Sequence, residues 1–168
     1  NLKRKNLKRK NLKRKNLKRK NLKRKNLKRK NLKRNLSKYI MSELIEATKR
    51  KDLNKVKELI KSGVNLNAKD AFGGTALIIA SNIGHTEIVK LLIKSGSDVN
   101  IASNDGRTAL MKASGRRGVT DIVKLLLENG ADPNIQGMGD DTALMFLQYH
   151  EVDGVKNMLV KVLIKNGA

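Results

Sequence analysis

Two histidines, no cysteine and scattered carboxylates are the only groups in this 168-residue chain from which acid–base, nucleophilic or metal chemistry could be built. His150-Glu151 beside Tyr149 has the donors of an acid–base or metal site, but the sequence supplies none of the further partners that either chemistry needs. Asp140-Asp141 is a carboxylate pair in a turn-forming stretch, where solvated aspartates are the simpler reading. His85 follows Gly84 between two apolar runs, a setting for a turn hydrogen bond to a neighbouring unit. Without cysteine there is no zinc thiolate, disulfide framework or cysteine nucleophile, and no glycine-rich loop has phosphate-cradle spacing. The chain is expected not to be an enzyme, with no catalytic, metal or cofactor site.

The elements that must position these groups repeat. Thr75-Ala76-Leu77 returns as Thr108-Ala109-Leu110 and Thr142-Ala143-Leu144, at spacings of 33 and 34. Gly84-His85-Thr86-Glu87 leads into Ile88-Val89-Lys90-Leu91-Leu92, and Gly118 precedes Ile122-Val123-Lys124-Leu125-Leu126. Turn phrases follow at Ser62-Gly63, Ser95-Gly96, Asn129-Gly130 and Asn166-Gly167. The threonines precede short apolar segments and can cap a first helix with their hydroxyls. Gly63, Gly96 and Gly130 sit where a helix end needs a left-handed residue. Ile88, Val89, Leu91, Leu92 and Ile93 predict a buried stripe on the second helix, echoed by Val56, Leu59 and Ile60 and by Ile122, Val123, Leu125 and Leu126.

Together these phrases, over about residues 42–168, resemble the ankyrin repeat. The resemblance implies an all-α solenoid of about four helix-turn-helix units with β-turn arms, at about 42–70, 71–103, 104–137 and 138–168. The first unit lacks the Thr-x-Leu turn and starts with a polar helix, as a capping unit does. Departures are visible: alanine stands for the motif's proline at Ala76, Ala109 and Ala143, and Ile78, Met111 and Met145 stand for its histidine. An extra residue falls around Gly115-Arg116-Arg117-Gly118, four more near Tyr149 to Gly154, and Gly137-Met138-Gly139-Asp140-Asp141 misplaces the glycine seen at Gly73 and Gly106.

The resemblance further implies a protein-interaction module, using arm tips and the exposed face of the first helices. The matching candidates are Phe72 and Met138 on arms, Ile79, Ile83 and Phe146 on first helices, and a basic set of Arg107, Lys112, Arg116 and Arg117 suited to an acidic partner surface. Phe146 has a second reading, as packing within a distorted last unit. The partner is expected to be another protein, met by a monomer.

In front of this domain, residues 1–40 form a leader built on the word Asn-Leu-Lys-Arg-Lys, six times in tandem to Lys30 and then decaying. Residues 1–34 hold 20 of the 38 cations and no acid, so the formal charge of +23 reflects the leader: the other 134 residues carry 18 basic and 15 acidic side chains. One leucine per five residues gives no apolar stripe on a helix and no single face on a strand, so disorder or a marginally stable helix is expected. Three readings stand for the leader: a translated minisatellite preceding a start at Met41, a tail for nucleic acid or another polyanion, and a nuclear-localisation address. A partial reading frame without selected function, cut at Ala168, is a further alternative. No apolar run nears the roughly 18 residues of a membrane span and no secretory segment follows the basic residues, which suggests a cytoplasmic protein, or a nuclear one in a eukaryote.

Overall fold

A computed structural model describes residues 2–116 and 120–147 and the isolated positions 157 and 161. The chain divides into two units, Asn1–Tyr39 and Ile40–Ala168. Among the described residues there are seven α-helices and no strand: α1 (Leu2–Lys49), α2 (Leu53–Lys61), α3 (Ala76–Ile83), α4 (Thr86–Lys94), α5 (Ala109–Ser114), α6 (Thr120–Glu128) and α7 (Ala143–Leu147). From Leu2 onward the leader is thus helical, lying within α1.

In the second unit the helices stack in two rows. First helices α3, α5 and α7 pack in succession, second helices α2, α4 and α6 form a second row, and α3 pairs with α4 and α5 with α6. The rows meet over one core of Val56, Leu59, Leu77, Ile88, Val89, Leu92, Leu110, Met111, Ile122, Val123 and Leu126, all buried. Each such side chain contributes about 1.5–3 kcal/mol of transfer free energy, and neighbouring units share the benefit. The predicted stripe is narrower than expected: Leu91, Ile93, Ile60 and Leu125 are half-buried at its margins. The first unit also differs from expectation, because its first helix, the end of α1, is not wholly polar and buries Leu44, Ile45 and Ala47.

Local chemistry accounts for the helix ends. Thr75 Oγ1 accepts from Ile78 N–H at 3.2 Å and Thr108 Oγ1 from Met111 N–H at 3.3 Å, as the spacing predicts. Thr142 holds the same place before α7, where its carbonyl accepts from Met145 N–H at 3.1 Å. Second helices start on a different cap: Asp52 Oδ1 accepts from Lys55 N–H at 2.9 Å, and His85 Nδ1 accepts from Ile88 N–H at 3.3 Å. His85 therefore caps its own helix rather than bonding a neighbouring unit.

Left-handed backbone recurs in register. Gly73 and Gly106 have φ of 77° and 74° in their arms, and 34 residues beyond Gly106 Asp140 takes φ 57°. The third arm consequently keeps the turn of the others despite its displaced glycine: Gly137 N–H reaches Asp141 carbonyl at 2.8 Å, as Asp70 reaches Gly74 at 2.9 Å and Ser103 reaches Arg107 at 3.0 Å. Lys51, at φ 60°, likewise stands 33 residues before Gly84, the left-handed cap of α3. A side chain in this region costs about 1–2 kcal/mol, less for aspartate, whose short polar group suits it. Lys51→Gly is expected to raise unfolding stability by about 0.5–1 kcal/mol after the entropy of the added glycine, and Asp140→Gly by less. Urea midpoints of the two variants check the order.

Candidate functional site

The arms touch one another through backbone. Asn104 N–H donates to Phe72 carbonyl at 3.0 Å and Met138 N–H to Asp105 carbonyl at 3.2 Å, while Asn104 Nδ2 reaches Ala71 carbonyl at 3.1 Å. Below them a second ladder joins the turns between units: Asn67 Oδ1 accepts from Asp98 N–H at 2.9 Å, and Asn100 Oδ1 accepts from Asp132 N–H at 2.8 Å. These bonds hold successive units at a fixed step, which sets the spacing of whatever the arms and first helices present.

Between the α3 and α5 units this arrangement leaves a groove of about 330 Å³. Phe72 at the arm tip, with Ile78 and Ile79 of α3, supplies its apolar lining; Asp70, Asn82, Asn104, Asp105 and Lys112 supply the polar lining. Phe72 is 81 % exposed, and an aromatic ring left in water at the mouth of a groove is a costly ornament unless something covers it. Asp70 is held in place, since its Oδ1 accepts from Phe72 N–H at 2.9 Å and Gly74 N–H at 2.8 Å.

Asp105 organises the part of the lining that the second arm and α5 contribute. It accepts from the Ser103 hydroxyl and from Lys112 Nζ at 3.2 Å, and Arg107 Nε lies 3.7 Å away. Its carboxyl is held below the usual carboxylate value chiefly by the Ser103 hydrogen bond; burial opposes this as the next strongest influence, and the hydrogen bond and charge of Lys112 and the backbone N–H of Arg107 add to the lowering. Arg107 also reaches Asp141 on the next arm at 3.5 Å, and its guanidinium sits 4.9 Å over the ring of Phe146. Arg107 and Lys112 are thus matched by two carboxylates. Such half-exposed pairs fix geometry more than they add stability.

Of the sequence candidates, Phe72, Ile79 and Lys112 line the groove. Ile83, at the end of α3, is half-buried, and Met138 is 82 % exposed on the third arm. Arg116 is exposed and donates from Nη1 to Asn82 carbonyl at 3.0 Å. Phe146 packs against the core from α7 beneath Arg107. Arg117, His150, Glu151 and Tyr149 lie outside the described residues. The members of the basic set that are described are each bonded to acceptors of the protein itself. Asp70 and Asp105, which the sequence did not single out, prove to be the anions of the groove. Asp105 lies two positions before Arg107 and seven before Lys112, separations that become proximity only once the arm folds back over α5.

Among the described residues no helix is long and apolar enough to cross a membrane, and no group of three or more His, Cys, Asp or Glu could hold a metal ion. No curated protein matches the chain. A family model described as ankyrin repeats, in three copies, matches residues 44–137, more than half of the chain. Repeats of this kind are generally protein-interaction modules and typically non-catalytic. The matched residues hold the paired helices, threonine caps and equal arms on which the groove is built, and the chain belongs to the ankyrin-repeat family.

Proposed function

We propose that this protein is a non-catalytic interaction module whose groove between the α3 and α5 units binds a segment of another protein. The observation that carries the reading is the exposed ring of Phe72 over a groove of about 330 Å³ floored by Ile79. A volume at the lower end of ligand pockets suits one apolar side chain of a partner, with Asn104, Asp105 and Lys112 placed to bond its backbone or polar neighbours. The unit-to-unit hydrogen bonds hold these groups before the partner arrives, so little ordering entropy is lost on binding. Because Lys112 and Arg107 already face Asp105 and Asp141, apolar burial rather than net positive charge is the main driving force.

Peptides selected from a displayed random library on the full chain provide the test. Phe72→Ser is expected to weaken the selected peptides about 10- to 100-fold, the worth of one buried aromatic side chain. Lys90→Ser, on the exposed side of α4, should leave them unchanged. Peptides that bind the Phe72 variant as tightly as the parent would remove the groove from the account.

A further inference from the structure

The leader is a second surface, independent of the groove. Its 20 cations comprise six words of three followed by Lys33 and Arg34, and no acid lies among them. Every described side chain from Arg14 to Leu32 is exposed, the leucines 17, 22, 27 and 32 by 59 % to 70 %. At 1.5 Å per residue, three cations per word give about one positive charge per 2.5 Å of helix. Duplex nucleic acid carries about one negative charge per 1.7 Å of its axis, denser than the leader's own charge, so every cation that faces it can meet a phosphate.

The placement of side chains narrows the class of polyanion. Each word advances around the helix by about 140°, so the cations surround it, and about a third of them, six or seven, face any one partner. The leucines spiral in the same way and form no apolar face, which a helix lying in a bilayer interface requires. No aromatic residue precedes Tyr39, so the ring platform on which single-strand binders stack successive bases is missing from the leader. What remains is attraction to a dense, regular line of phosphates. Arg14 and Lys18, and Lys15 and Arg19, are like charges four residues apart that oppose the helix until an anion is beside them.

We propose that the leader helix is a sequence-independent binding element for double-stranded nucleic acid. Titration of the full chain against a short fluorescent DNA duplex tests it. Affinity is expected to fall about a thousandfold between roughly 50 and 200 mM salt, as about six phosphate contacts require, and to be alike for duplexes of unrelated sequence. Replacing Lys18, Arg19, Lys20, Lys23, Arg24 and Lys25 by glutamine keeps good helix formers but removes about two facing cations, and should make the log–log salt slope shallower by about two. Lys57→Gln, an exposed position of α2 in the repeat domain, should change nothing. The proposal is overturned if the duplex does not bind at low salt, if the slope is unaltered by the six glutamines, if Lys57→Gln abolishes binding, or if anionic lipid vesicles or the single strand of the same sequence bind more tightly than the duplex.

Discussion

Leu110→Ala is expected to lower the unfolding free energy of the repeat domain by about 2–5 kcal/mol, the usual cost of deleting a buried leucine side chain and leaving part of its volume empty. Leu110 is 1 % exposed in α5, and α5 packs on α3, α6 and α7. The vacated space therefore opens in the shared core, on a helix in the middle of a linear array where each unit is held by its neighbours. Against a total stability of about 5–15 kcal/mol for an ordinary domain, this removes a large fraction. Urea unfolding followed by helical circular dichroism should show a lower midpoint and a broader transition as the two sides of the stack lose their coupling. Met145, 46 % exposed on α7, offers the contrast, since truncating it should cost far less. Equal midpoints for the Leu110 variant and the parent would contradict the position of α5 as the centre of the first-helix row.

Gly106→Ala should be the more disruptive of two glycine substitutions that look alike in sequence. Gly63 and Gly106 both have left-handed backbone, at φ 77° and 74°. A Cβ at Gly63 would meet nothing within 4 Å, so only the conformational cost of about 1–2 kcal/mol applies. At Gly106 the added carbon would lie 2.8 Å from Gly137 Cα and 2.9 Å from Met138 N, backbone atoms of the next arm that cannot turn aside. The arm must move, and the Met138 N–H bond to Asp105 carbonyl moves with it. A total of about 2–4 kcal/mol is expected, from strained backbone and the lost bond together. Comparing the two variants by denaturant midpoint isolates the arm-to-arm contact, and equal losses would show that contact to be energetically idle.

The periodic part of the fold was readable from residues because each signal is local. A threonine three residues before the N–H it caps, a glycine at a left-handed helix end and apolar residues at helical spacing need only their neighbours to act. Thr75, Thr108, Gly63 and Gly96 accordingly stand as expected. Asp140 was harder to read, because the demand for left-handed backbone comes from the arm's position in the stack and is met there by a residue that merely tolerates it. The groove was harder still. Its anion, Asp105, matters through Lys112 seven residues on and through Arg107, whose other partner is Asp141 on the following arm. Charges spaced so widely look like a basic set until the fold pairs them. The leader carries no periodic signal for burial, and what favours its helix is the propensity of leucine, lysine and arginine.

The asparagine ladder gives the stack a direction. Asn67 and Asn100 each offer a side-chain oxygen toward the C-terminal neighbour, which answers with a backbone N–H from Asp98 or Asp132. Through these two bonds the unit of about residues 71–103 donates on one edge, from Asp98, and accepts on the other, at Asn100, like a monomer in a head-to-tail polymer, and the Asn100 Nδ2 donation to Gly130 carbonyl at 3.0 Å closes the second joint further. Two stacks meeting end to end could reuse these bonds only in the same polarity, a heterologous contact that leaves a fresh edge at each extremity and does not close on itself. The same polarity makes the unit a unit of growth: a duplicated helix pair set into the row would find a donor on one side and an acceptor on the other.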